Sequence, residues 1–110
     1  MKLPNAENAV IAEDKICAYL RNPEHKRGGS KAKLLLAMGY TVDDWRRLEA
    51  DIRRHHLPAE VVAEADTGYG RRYEILAPLT GANGQTITFR SIWQIDLGTN
   101  VPRLITMYPE

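Results

Sequence analysis

Apolar side chains recur at helical spacing through the first half of the chain and predict three helices. The first covers residues 13–21 and ends before Pro23, because the residue preceding a proline is driven out of the helical region. The second covers residues 30–38 and is followed by Gly39, which suits the left-handed residue after a helix. The third covers residues 42–55.

The third predicted helix has the clearest division into a buried and an exposed face. Thr41 is its expected N-cap, and an apolar stripe faces the core. Two adjacent histidines end it, and we expect both in solvent, where a helix C-terminus favours positive charge. Neighbouring helical positions point about 100° apart, so His55 and His56 cannot share one metal ion. The stripe consists of Trp45, Leu48 and Ile52.

The period of the pattern changes to two after residue 60, which predicts strands. Residues 60–65 fit either a strand or a short helical turn, and the strand is favoured. The dipeptide Asn83-Gly84 is typical of a tight hairpin turn between two strands. The three later strands are predicted over residues 71–79, 85–95 and 103–108.

The strand over residues 85–95 alternates most regularly and indicates how the sheet faces the helices. Phe89 and Trp93 share its apolar face and are expected to be buried. Upstream, residues 9–12 are predicted as an edge strand or a packed extended arm. Helices followed by antiparallel strands indicate one α+β domain over residues 1–110, with the N-terminal helices on one face of a three- to four-stranded sheet.

The composition excludes several classes of protein but does not indicate a function. The 110 residues are 44% apolar and 26% charged, as in ordinary globular domains, and a single cysteine excludes a disulfide-stapled scaffold. No apolar run is long enough to span a bilayer, and the N-terminus lacks a signal core. We therefore expect a cytoplasmic protein that has no membrane partner. The sequence contains no metal-ligand motif, and no cofactor is expected.

Positive charge is concentrated in the first half of the chain. Residues 1–56 contain 11 Lys and Arg against 8 Asp and Glu, whereas residues 57–110 contain 4 against 6. This split is compatible with a phosphate-binding face on the N-terminal half, or with an ordinary set of solvated helices.

The segment from residue 25 to residue 33 gathers groups that suit phosphate chemistry. His25 supplies an imidazole, and Gly28-Gly29 precedes a helix N-terminus, whose free N–H groups attract anions. Lys31 adds a positive charge in the first helical turn, where the helix dipole disfavours it. A solvated loop is the alternative. Further candidate contacts in this segment are Lys26, Arg27 and Ser30.

Hydroxyl-bearing side chains on the predicted strands form a second group of candidates. Ser91 lies on an apolar face, where it is either a small packing residue with a local hydrogen bond or a hydroxyl in a cleft. Thr106 and Tyr108 share one face of the last strand. Arg103 joins that face only if a β-bulge follows Pro102.

Short motifs run in order along the whole chain. They are Leu3-Pro4-Asn5-Ala6-Glu7-Asn8-Ala9-Val10-Ile11, Lys15, Tyr19-Leu20-x-Asn22-Pro23-x-His25, Gly29-x-Lys31-Ala32, Gly68-Tyr69-Gly70-x-x-Tyr73, Gly81-x-Asn83-Gly84, Arg90-Ser91-x-Trp93 and Pro102-Arg103-Leu104-x-Thr106-x-Tyr108. This order resembles a bacterial family of domains of unknown function, number 6883. Lys26 departs from the family pattern, because a proline often follows the histidine there. Leu34-Leu35-Leu36 stands where the family has an aromatic residue.

The resemblance implies RNA chemistry. Members of the family occur as free-standing proteins or as modules of polymorphic toxins. Their outline of helices followed by a strand meander is similar to the small metal-independent ribonucleases of the barnase–colicin–RelE group. In such enzymes the RNA 2′-OH attacks the adjacent phosphate, aided by a proton shuttle and by groups that stabilise the phosphorane.

The side chains that suit these roles fall into a catalytic group and a substrate-binding group. The catalytic group is His25, Lys31, Arg103, Thr106 and Tyr108. The substrate-binding group is Lys26, Arg27, Ser30, Arg90 and Ser91. The expected partners are RNA and a small cognate immunity or antitoxin protein. The alternative function is a non-catalytic protein-binding module of such a pair, or an accessory domain.

Overall fold

A computed structural model describes residues 1–21 and 29–110. Within these ranges three α-helices and one short 3-10 helix (Ala6–Asn8) precede a four-stranded antiparallel sheet, which confirms the predicted α+β class. None of the helices in the described ranges combines the length and the apolar character that crossing a membrane requires. The helices are α1 (Glu13–Arg21), α2 (Gly29–Ala37) and α3 (Trp45–His55). The strands are β1 (Val61–Asp66), β2 (Gly70–Thr80), β3 (Thr86–Asp96) and β4 (Pro102–Pro109).

The sheet is a meander in which each strand pairs with the next one along the chain. The hairpin between β2 and β3 turns at the predicted dipeptide, since the Gly81 N–H donates to the Gln85 carbonyl at 2.8 Å and Gly84 has a positive φ of 87°. The Asn83 N–H donates to the Met38 carbonyl at 3.0 Å. This bond joins the hairpin between β2 and β3 to Met38, the residue that follows α2.

An N-terminal arm runs beside β4. The Val10 N–H donates to the Pro102 carbonyl at 2.8 Å, and the Val10 carbonyl accepts from the Leu104 N–H at 3.0 Å. Of the two predictions for residues 9–12, the packed extended arm is correct. Because the arm pairs with backbone groups of β4, it protects part of this edge from association with another chain.

The core lies between the helices and one face of the sheet. Phe89 and Trp93 have no exposed surface, as the alternation of β3 predicts, and Leu48 of α3 is equally buried. Trp45 differs from the prediction, because it is only partly buried and carries the Arg46 guanidinium 4.9 Å from its ring centroid. The buried stripe of α3 therefore begins after Trp45.

The third helix starts three residues later than the pattern predicts. Thr41 Oγ1 accepts the Asp44 N–H at 3.2 Å, but residues 42–44 form a bend and a turn, and the helix begins at Trp45. The N-cap of α3 is therefore Asp44, and the prediction that Thr41 caps this helix is wrong. The ambiguous segment after residue 60 is a strand, as favoured above.

A buried hydrogen bond joins the segment after α2 to α3. The Tyr40 hydroxyl donates to Asp51 Oδ2 at 2.6 Å, and Arg47 Nε donates to the same oxygen at 3.3 Å. Burial of the phenol, with the hydrogen bond to Asp51 and its charge, raises the pKa of Tyr40. The hydroxyl therefore remains a donor throughout the physiological pH range.

We expect Tyr40→Phe to lower the free energy of unfolding by about 1–3 kcal/mol, because the buried Asp51 loses a hydrogen-bond donor. Urea denaturation followed by tryptophan fluorescence measures this loss. Tyr69→Phe is the matched control, since Tyr69 is 78% exposed, and it should change stability by less than about 0.5 kcal/mol. An equal loss of stability in both variants would contradict a stabilising role for the buried hydrogen bond between Tyr40 and Asp51.

Candidate functional site

A β-bulge in β4 decides which of its side chains share a face. Leu104 pairs with Trp93 and Thr106 pairs with Ile92, so Ile105 is an extra residue without its own partner position. The bulge changes the alternation and brings side chains from both ends of β4 onto the face opposite the core, called the outer face below. The outer-face residues of β4 are Arg103, Thr106 and Tyr108.

Arg90 lies on the outer face of β3, opposite Tyr108. Arg90 Nη1 donates to Glu74 Oε1 at 3.0 Å, and Nη2 donates to Glu110 Oε1 at 2.9 Å. The hydrogen bonds that Arg90 donates to Glu110 and Glu74 raise the pKa of Arg90, and the bond from Arg90 lowers the pKa of Glu110. The outer face therefore holds a permanent cation between two carboxyl groups.

Arg103 also has a carboxylate partner. Its Nε donates to Asp96 Oδ2 at 2.7 Å and its Nη2 donates to Asp96 Oδ1 at 3.2 Å, while Gln94 donates to the same Oδ1 at 2.7 Å. The bond from Arg103 is the main cause of the lowered pKa of Asp96. Exposed ion pairs of this kind contribute about 0–1 kcal/mol, so an anionic ligand can compete for the Arg103 guanidinium at small cost.

Two side chains of the first helix contact β4 near its bulge. Lys15 Nζ donates to the Ile105 carbonyl at 2.6 Å. Burial raises the pKa of Tyr19, whereas hydrogen bonds with the Thr106 side chain and the Met107 backbone act in the opposite direction. The last turn of α1 is therefore adjacent to Thr106.

Five of the predicted site residues belong to the segment from residue 25 to residue 33. His25, Lys26 and Arg27 lie outside the described residues. Ser30 and Lys31 lie in the first turn of α2, and their side chains also fall outside the described part of the chain. The predicted catalytic group combines residues of this segment with residues of β4, and their approach to one another stays a prediction.

Ser91 lies in the core. Trp93 Nε1 donates to Ser91 Oγ at 2.9 Å, and His56 Nδ1 is 2.8 Å from the same oxygen. Because Trp93 has only a donor, Ser91 accepts from it and its own O–H is available to Nδ1. Ser91 has no exposed surface, so the first alternative, a packing residue with local hydrogen bonds, describes it. It does not belong to the outer face.

The prediction that His56 is solvated is wrong. The residue has no exposed surface, because the stripe of Leu48 and Ile52 continues at the next four-residue step. Burial lowers the pKa of His56 to about 4, and the backbone of Ala77 acts in the opposite direction. Within the described part of the chain, Nε2 has no hydrogen bond of acceptable geometry. The four-residue spacing of positions 48, 52 and 56 is the sequence signal from which the burial of His56 could have been predicted.

Two acidic residues of the site were not predicted from the sequence. Glu74 occupies an alternate position of β2, but its approach to Arg90 depends on the pairing of β2 with β3. Glu110 follows β4 and reaches Arg90 through the pairing of β3 with β4. In residues 1–21 and 29–110 the structure contains no cluster of three or more His, Cys, Asp or Glu arranged to hold a metal ion.

Comparison with known proteins places the chain in a family. No curated protein matches it. A chain of a contact-dependent growth inhibition toxin–immunity protein complex from Klebsiella pneumoniae 342 has a similar fold, with a TM-score of 0.71 and 18% sequence identity, over 92% of this chain and 99% of that chain. At this identity the likeness concerns the fold. The model of the family described as Domain of unknown function (DUF6883) matches residues 2–110, and the chain belongs to that family.

Proposed function

We propose that this chain is a metal-independent ribonuclease domain of the toxin type that cleaves RNA phosphodiesters. The observation that carries the proposal is the bulge of β4, which gathers a guanidinium and two hydroxyl-bearing side chains on the outer face, beside Arg90. Cations and hydroxyls in this arrangement suit a phosphodiester and the phosphorane formed from it.

In the proposed reaction the RNA 2′-OH attacks the adjacent phosphorus, and the 5′-oxygen leaves with a proton. His25 takes the proton from the 2′-OH or delivers one to the leaving oxygen. Lys31 and Arg103 stabilise the added negative charge of the phosphorane, and Thr106 and Tyr108 donate hydrogen bonds to it. Lys26, Arg27, Ser30 and Arg90 hold neighbouring phosphates.

The proposal requires His25 to lie close to the outer face of β4. Tyr19 lies beside Thr106, and α1 ends two residues later at Arg21. His25 follows Arg21 by four residues in the sequence.

The toxin-type role is supported by the fold shared with a chain of a toxin–immunity protein complex. A small nuclease that acts in a bacterial cytoplasm requires control, so we propose a cognate immunity or antitoxin protein as its partner. The net charge of +1 and the basic first half are compatible with RNA as the substrate.

Incubation of the purified chain with total tRNA in EDTA tests the proposal. We expect cleavage at defined positions that leaves a 2′,3′-cyclic phosphate on the upstream fragment. Mapping of fragment ends identifies the positions. Cleavage that disappears in EDTA would contradict metal independence, and an absence of cleavage under all conditions would favour the binding-module alternative.

Substitutions in the catalytic group should slow cleavage. We expect His25→Ala and Lys31→Ala each to reduce the rate by about 10²-fold, and Tyr108→Phe to reduce it by at least about 10-fold. Tyr69→Phe is the control for Tyr108→Phe, because it removes the same hydroxyl from an exposed tyrosine outside the proposed site. Undiminished cleavage in all three catalytic variants would place the chemistry elsewhere.

A further inference from the structure

The Glu110 carboxylate sits on Arg90 in the manner of a bound ligand. Its two oxygens face one edge of the guanidinium, with Nη2 to Oε1 at 2.9 Å and Nε to Oε2 at 3.4 Å. This parallel pairing is the geometry by which arginine binds carboxylates and phosphates alike. The edge of Arg90 that Glu110 covers is therefore shaped for a two-oxygen anion.

The two carboxylates on Arg90 are not equivalent. Glu74 belongs to the inner strand β2, takes only Nη1 and is 25% exposed. Glu110 lies beyond the end of β4, is 40% exposed and is held by its N–H bond to the Thr88 carbonyl at 3.0 Å. Glu74 therefore positions the guanidinium, whereas Glu110 is the partner that a competing anion can displace.

The surroundings of Arg90 suit a phosphate of a nucleic acid strand. Tyr108 lies opposite Arg90 on the outer face and is 36% exposed. It offers a hydroxyl donor and a ring against which a base can stack. Thr106 is opposite Ile92, the next outer-face position of β3, so a strand bound along this face passes from Arg90 toward the proposed catalytic group.

We propose that the Nε and Nη2 edge of Arg90 binds a phosphodiester of RNA, and that the Glu110 side chain blocks this edge until the phosphodiester displaces it. The inference rests on the proposed function for the identity of the nucleic acid. An exposed arginine–carboxylate pair contributes about 0–1 kcal/mol, so removal of Glu110 should improve binding by up to roughly 5-fold.

Binding is measured with a 2′-O-methyl oligonucleotide, which keeps the phosphodiesters and lacks the 2′-OH nucleophile. Fluorescence anisotropy at low salt gives the affinity of the parent chain and of Glu110→Gln. We expect Glu110→Gln to bind more tightly than the parent chain, by between about 2-fold and about 5-fold. In the double variant Arg90→Lys with Glu110→Gln, the gain should disappear, because lysine keeps the charge and lacks the planar fork.

Glu64→Gln is the matched control. It removes one negative charge from another arginine pair, Arg71 with Glu64 at 3.3 Å, at the β1 side of the sheet. We expect it to change affinity by less than about 2-fold. A gain equal to that of Glu110→Gln would overturn the proposal, since the effect would then be general electrostatics.

The remaining outcomes separate this inference from the proposed function. No gain in Glu110→Gln overturns the inference even if the parent chain cleaves tRNA. A gain that depends on Arg90 supports it even if no cleavage is found. Inorganic phosphate is the second probe, read from the NMR signal of Arg90 Nε–H. A response to phosphate without any gain for the oligonucleotide overturns the assignment to RNA.

Discussion

Gly70→Ala should lower the free energy of unfolding by at least about 3 kcal/mol. A Cβ at position 70 would lie 2.1 Å from the Ile95 carbonyl oxygen and 2.8 Å from the Asp96 Cα. Both atoms belong to the backbone of β3, which pairs with β2 along its whole length. The overlap therefore cannot be relieved by a side-chain rotation and must displace one strand from the other.

Urea denaturation followed by tryptophan fluorescence measures the effect, and Gly68→Ala supplies the control. A Cβ at Gly68 meets no atom within 4 Å, although its φ of 85° is unfavourable for alanine. That variant should cost only about 1 kcal/mol. If the two variants were equally stable, the close approach of Gly70 to β3 would be disproved.

The strands were predictable because their local signals agree. In β3 a period of two, branched and aromatic residues and an Asn-Gly turn all indicate one strand, which lies at Thr86–Asp96 within one residue of the prediction. Phe89 and Trp93 are buried for the same reason. Where the hydrophobic pattern, the strand propensity and the turn residues all agree, the local sequence is enough to predict the strand.

The bulge of β4 could be anticipated but not located. Alternation places Arg103 and Thr106 on opposite faces, and only the register of β4 against β3 identifies Ile105 as the extra residue. The register depends on packing of Leu104 and Met107 into the core, a long-range effect that a local pattern does not contain. The composition of the outer face therefore follows from tertiary structure.

His56 escaped prediction because two rules conflict there. A basic residue at a helix C-terminus is ordinarily solvated, whereas its position eight residues after Leu48 continues the buried stripe. Burial prevails because Ser91 of β3 supplies a partner for Nδ1 inside the core. That partner is 35 residues away in the sequence and could not be paired with His56 from the pattern.

Acid should begin to destabilise the protein as the pH falls below 6.5, the ordinary pKa of histidine. The folded pKa of His56 is about 4, below the ordinary value of 6.5, because burial disfavours the charged ring. Between these values the unfolded chain binds a proton that the folded chain does not. The stability from neutral His56 is complete above pH 6.5 and falls as the pH drops toward 4, by about 3 kcal/mol in total.

Urea denaturation at intervals from pH 7.5 to pH 5 measures this dependence. The carboxyl groups with lowered pKa values are Glu60, Asp96 and Glu110, and they contribute only at more acid pH. His56→Gln should flatten the slope between pH 6.5 and 5, whatever its stability at neutral pH, because glutamine does not titrate. His55→Gln removes the neighbouring histidine and should retain the slope. A slope that survives in His56→Gln would show that another group causes the acid sensitivity.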